Sequence, residues 1–190
     1  MNYLVEKPEY YQLLRIILDL AMKSDGKCLI YIGTNSAILK TYDWIRFNYF
    51  NLADQIGIFT TLVTPEEKYA AMNKKIILST TKSAGAAVDI QGLKLTVVLN
   101  EPFKSHVITQ QTIGRTRDND TFYIECVDIG FKKILQFYNY KQPVINKYCT
   151  DNSMIRLTRS DLQNRSDRII STMPQITLIS RLLIQRTPAP

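Results

Sequence analysis

The chain has 190 residues, 45% of them hydrophobic and 22% charged, the profile of one globular domain with a real core. Seven Gly and seven Pro exclude a collagenous or linker-like chain. The formal net charge of +7 favours polyanionic partners.

In chain order, Tyr10, Leu13, Leu14, Ile17, Leu18 and Ala21 recur at helical spacing and predict an amphipathic helix closed by Ser24–Lys27. Cys28–Ile32 is an apolar run of strand length, halted by Gly33. Ser36 is expected to cap a second helix, with Ile38, Tyr42, Ile45 and Tyr49 on one face. Ile56–Val63 reads as a strand. Thr64-Pro65-Glu66-Glu67 is a helix start with a Thr cap, Pro at the first position and Glu three after the cap. Lys75–Ser79 and Leu95–Leu99 are further buried-type strands. Ser105–Ile113 reads as helix, Thr121–Val127 as strand, and Phe131, Ile134, Leu135 and Tyr138 mark the helix after it. Tyr42, Tyr49 and Tyr138 are expected in the core. Apolar strands alternating with helices predict a doubly wound, mainly parallel α/β sheet covered on both faces.

Charge divides the chain. Residues 1–149 carry 14 Lys and 4 Arg against 14 acids, whereas residues 150–190 carry no Lys, 6 Arg and 3 Asp. This switch predicts a domain over 1–149 and a basic C-terminal extension over 150–190, where Ile176, Ile179, Leu182 and Leu183 could form one amphipathic face. No run approaches the roughly 20 apolar residues of a membrane span. The residues from Met1 lack the basic-then-apolar order of a signal peptide. A cytoplasmic location without membrane association is therefore expected. Cys28, Cys126 and Cys149 lack paired spacing and read as reduced structural thiols. His106 is the only histidine, so neither a metal site nor a catalytic triad is expected.

In a doubly wound sheet, ligands bind at loops beyond the carboxyl ends of the strands. The loops to read are Gly33–Ser36, Thr80–Gln91, Asn100–Ser105 and the segment around Gly114, all expected on one rim. Gly33–Thr41 imitates a phosphate-binding loop, but Leu39 precedes Lys40 and the Gly-to-Lys spacing is one too long. Ser79–Ile90 offers hydroxyls, small residues and a lone carboxylate, a set suited to phosphate oxygens. Gln110–Asp118 sets Arg115 and Arg117 beside Gly114, where they could clamp a transferring phosphoryl group.

Together and in order, these segments resemble the second, C-terminal RecA-like lobe of superfamily 2 helicases and translocases. Leu29–Thr34 is similar to motif IV, Thr80–Ile90 to motif V, Asn100-Glu101-Pro102 to the acidic-Pro turn, and Gln111-Thr112-Ile113-Gly114-Arg115 to the Q-x-x-G-R of motif VI. The likeness spans about Lys27 to Tyr140. It departs at Ala87, where the family commonly has Gly, and at Arg117, which follows Arg115 by two residues instead of three. The resemblance implies a RecA-like lobe gripping nucleic acid, DNA ahead of RNA, through Thr34, Asn35, Thr81 and Lys82. Gly85, Asp89, Gln111 and Gly114 would face ATP, and Arg115 or Arg117 would act as the arginine finger. ATP and Mg2+ would be shared with an N-terminal lobe that carries Walker A and B, elements not found in this sequence. The alternatives are a non-catalytic nucleic-acid-binding or regulatory module derived from such a lobe, and an unrelated small nucleotide-binding α/β enzyme.

Overall fold

The computed structural model describes residues 5–84, 89–100, 103–115, 121–149, 157–163 and 184–185. Helix α1 (Pro8–Lys23) leads into strand β1 (Lys27–Ile32) and helix α2 (Asn35–Asn48). A 3-10 segment (Phe50–Gln55) precedes β2 (Ile56–Phe59), α3 (Pro65–Met72), β3 (Ile76–Ser79) and the single turn α4 (Thr81–Ala84). Then follow β4 (Leu93–Asn100), α5 (His106–Ile113), β5 (Phe122–Glu125) and α6 (Lys132–Tyr148). Of residues 150–190, α7 (Arg159–Gln163) and the short strand β6 (Ile184–Gln185) are among the described residues. The helical face foreseen at Ile176–Leu183 lies outside the described residues.

The sheet order is β2-β3-β1-β4-β5-β6. The first five strands are all parallel, and β6 pairs antiparallel with β5. The parallel α/β arrangement expected from the apolar runs is the one observed, and it is consistent with a RecA-like doubly wound fold. Handedness explains the layers. The connection from β1 to β2 moves one way across the sheet, and the next three connections move the other way. Right-handed crossovers then place α2 on one face and α3, α4 and α5 on the opposite face.

The two cores match that division. Leu14, Ile17 and Leu18 of α1 and Ile38 and Ile45 of α2 pack on Cys28, Ile30, Ile76, Leu78 and Val97. On the other face, Ala84, Ile113 and Ile145 pack on Leu29, Tyr31, Ile77, Val98 and Tyr123. Each fully buried aliphatic side chain contributes about 1.5–3 kcal/mol of transfer free energy. Tyr42 and Tyr49 pack against the first core and Tyr138 against the second, as expected. Leu162 of α7 also packs on the first core.

Gly57 shows how closely α3 lies on β2. A Cβ at this position would stand 2.6 Å from both Cα and Cβ of Ala71, so no side chain fits without moving the helix. Gly57→Ala is expected to destabilise by about 1–3 kcal/mol, the usual cost of overpacking. A urea midpoint equal to that of the wild type would contradict this contact.

Several boundaries differ from the sequence reading. The cap of α2 is Thr34, not Ser36, because Thr34 Oγ1 accepts from Ala37 N at 3.1 Å and Asn35 is already helical. Strand β2 stops at Phe59, short of Val63, because Leu62 N donates to Thr60 Oγ1 at 3.1 Å and turns the chain. Helix α6 runs through Pro143 to Tyr148, with Lys141 and Ile145 buried beneath it. The Thr64 capping box forms as expected, Thr64 Oγ1 accepting from Glu67 N and Glu67 Oε2 from Thr64 N. No described helix is long and apolar enough to cross a membrane.

Candidate functional site

The carboxyl rim of the sheet is built from hydroxyl-bearing turns. Thr34 spends its side chain on capping α2. Asn35 Nδ2 donates to Thr61 Oγ1 at 3.2 Å and ties the loop after β1 to the loop after β2. Ser79 Oγ donates to the Phe59 carbonyl at 2.6 Å and closes the gap between the ends of β3 and β2. Thr80 Oγ1 accepts from Ser83 N at 3.1 Å and caps the α4 turn. Within that turn Thr81 is 6% exposed, while Lys82 lies on the surface. The rim therefore presents the exposed Lys82 and the backbone around Thr34 and Asn35, with Thr81 beneath it.

Lysines and helix N-termini bring positive charge to this rim. Helices α2, α5 and α6 all begin here, and none has an acidic residue in its first turn. Their positive dipole ends are thus left to attract an anion. Exposed Lys104, Lys132 and Lys133 add to Lys82. Against them stand Asp128, whose Oδ1 accepts from Gly130 N at 2.9 Å, and the exposed Glu66 and Glu67 in the first turn of α3, which also begins at this rim.

The segment around Gly114 does not share this rim. Helix α5 leaves the carboxyl end of β4 and returns to the amino end of β5, so its eight residues carry the chain about 12 Å down the sheet. Gly114 caps α5, its N–H donating to the Gln110 carbonyl at 2.8 Å, and Arg115 follows it half-buried. Gln111 is exposed on α5. The exposed Asp89 immediately precedes the Ile90–Leu93 turn, in which Gly92 takes a φ of +75°, leading into the amino end of β4. Ile90 and Ile113 belong to the same core, so Asp89 and Arg115 approach one face of the sheet at its amino rim. Gly85, Arg117, Glu101 and Pro102 lie outside the described residues.

A buried ion pair near the carboxyl rim escaped the sequence reading. Lys141 of α6 pairs with Glu125 at the end of β5, their side chains 2% and 9% exposed. Tyr123 Oη donates to the second oxygen, Glu125 Oε2, at 3.2 Å. The Lys141 ammonium also stands 4.3 Å from the centre of the Phe103 ring. Burial first, and then the Glu125 charge, hold the Tyr123 phenol well above its ordinary range. The sequence holds one pointer: Lys141 falls on the stripe Ile134, Tyr138, Lys141, Ile145, and a lysine buried on such a stripe needs an acid partner.

The cysteines offer no nucleophile. All three are unpaired. Burial pushes the Cys28 thiol far up and those of Cys126 and Cys149 to about 12, so the thiolate is scarce at neutral pH. Among the described residues, no group of three His, Cys, Asp or Glu could hold a metal ion.

No protein-family model matches the chain, and no curated protein matches it significantly.

Proposed function

We propose that this chain is the second motor lobe of an ATP-dependent nucleic-acid helicase or translocase. The observation that supports the reading is the sorting of candidate residues between two rims. Thr34, Asn35, Thr81 and Lys82, the set the motif resemblance gives to nucleic acid, gather at the carboxyl rim. Of the set it gives to ATP, Asp89, Gly114 and Arg115 gather toward the amino rim, Gln111 stands on α5, and Gly85 and Arg117 lie outside the described residues.

The chemistry of each rim suits its partner. Helix N-termini and surface lysines meet a phosphate backbone without reading bases. At the amino rim, Arg115 brings a guanidinium for the γ-phosphate and Asp89 a carboxylate for sugar hydroxyls. That pair fits one side of an ATP–Mg2+ complex and supplies no cradle for its phosphates, which would rest on a first lobe carrying Walker A and B. The non-catalytic module keeps the same carboxyl rim and makes no use of Arg115.

Chain 1–190 is expected to bind single-stranded nucleic acid weakly, with little sequence preference, and to hydrolyse no ATP by itself. Three phosphate contacts give a log–log salt slope of about −2 on single strands. Fluorescence anisotropy across a salt series measures it. Tight, salt-insensitive binding to one sequence would overturn the backbone grip. Robust nucleic-acid-stimulated turnover by the chain alone would overturn the shared ATP site.

A further inference from the structure

The corner between β4 and α5 carries an aromatic platform that the motif residues do not include. His106, the first residue of α5, stacks on Tyr140 of α6 with ring centres 4.3 Å apart and planes 19° from parallel. His106 Nε2 lies 2.8 Å from the Tyr140 carbonyl. A carbonyl only accepts, so Nε2 carries a proton and the imidazole is held at two points. The Lys104 ammonium stands 4.8 Å from the centre of the Tyr140 ring.

This assembly belongs to neither core. His106 and Lys104 are exposed and Tyr140 is 41% exposed, so packing of the interior does not account for an oriented ring pair here. Among the described residues no carboxylate pairs with Lys104. Strand β4 neighbours β1, which neighbours β3. The end of β4 is therefore one strand from the end of β1, which leads to Thr34, and two strands from the end of β3, which leads to Lys82.

We propose that a nucleobase of a single strand crossing the carboxyl rim stacks on the outer face of the His106 ring, which Tyr140 backs and orients, while Lys104 meets the adjoining phosphate. The inference rests on the nucleic-acid reading above and adds to it a contact to a base. A cationic track beside an exposed aromatic is the combination that holds single strands without sequence preference, because every base has a stackable face. A duplex keeps its bases stacked on one another and offers no such face, so the occupant is single-stranded.

The test uses a short single-stranded DNA oligonucleotide carrying one 2-aminopurine, whose fluorescence falls on stacking, placed at each position in turn. Wild type is expected to quench the probe at one position. His106→Leu should abolish that quench and weaken binding about fivefold or more, with the salt slope unchanged. Tyr140→Phe should keep both quench and affinity. Lys104→Ala should keep the quench and reduce the slope by about 0.7. Tyr140→Leu, which removes the ring that backs His106, gives the same result should His106→Leu fail to fold. If Tyr140→Leu and His106→Leu quench and bind like wild type while Lys82→Ala binds more weakly, the platform is refuted and the backbone grip stands. If wild type binds no oligonucleotide, both are refuted.

Discussion

Arg115→Ala, made in a protein that carries both lobes, is expected to lower ATP turnover by about 10³-fold, the lower end of what arginine fingers contribute in other phosphoryl-transfer enzymes. The reason is where the charge develops. A guanidinium that approaches the γ-phosphoryl oxygens stabilises the transition state more than bound ATP. ATP affinity should accordingly change far less than turnover. Arg115→Lys should rescue poorly, because an ammonium lacks the planar fork that reaches two oxygens. The same substitutions at Arg117 decide which arginine is the finger. A surface arginine on a turn would instead cost under about 0.5 kcal/mol of stability and no turnover. Steady-state ATPase rates with nucleotide affinity, on variants checked by thermal melt, separate the two. Near-normal turnover in both alanine variants would remove the catalytic role.

Lys141→Ala should be the most damaging substitution to the fold itself, at about 3–5 kcal/mol, because it leaves the Glu125 carboxylate buried without its cation. Glu125→Ala should cost a similar amount for the opposite reason. The double substitution Glu125→Gln with Lys141→Met should recover most of the loss, since removing both charges removes the unpaired one. Loss at this site should also loosen the corner that precedes α5, because the Lys141 ammonium lies against Phe103, two residues before the Ser105 cap. Urea unfolding of the single and double variants measures the coupling. A loss below 1 kcal/mol in Lys141→Ala, the scale of an exposed pair, would contradict the burial argument.

The parallel sheet was legible because its strands are nearly continuous apolar runs, the mark of burial on both faces. The runs Cys28–Ile32 and Leu95–Leu99 became β1 and the body of β4. Thr64 was legible as a cap because Pro65 and Glu67 accompany it. Thr34 was not, since Ser36 offers the same hydroxyl and only backbone geometry chooses between them. The end of β2 was hidden for a similar reason: Thr60 suits a strand by its branching, yet its hydroxyl accepts from Leu62 N and stops the strand. The candidate residues were legible as types, and their placement was not. Arg115 was assigned to the rim of Thr34 and Thr81, but α5 must run antiparallel to the strands it joins, and that carries Arg115 to the other end. Lys141 was not legible as buried, since an isolated lysine on a helix usually reaches solvent. Its burial depends on Glu125, sixteen residues earlier.

The proposed division of labour between the two rims predicts how single-strand binding responds to salt. Wild type, Lys82→Ala and Arg115→Ala would be titrated with one labelled oligonucleotide across a salt series, without nucleotide. Lys82→Ala is expected to flatten the log–log slope by about 0.7, the loss of one phosphate contact on a single strand. Arg115→Ala, at the opposite end of α5, is expected to leave both slope and affinity as they are. Equal flattening by the two variants, or by Arg115→Ala alone, would contradict the assignment of nucleic acid to the carboxyl rim.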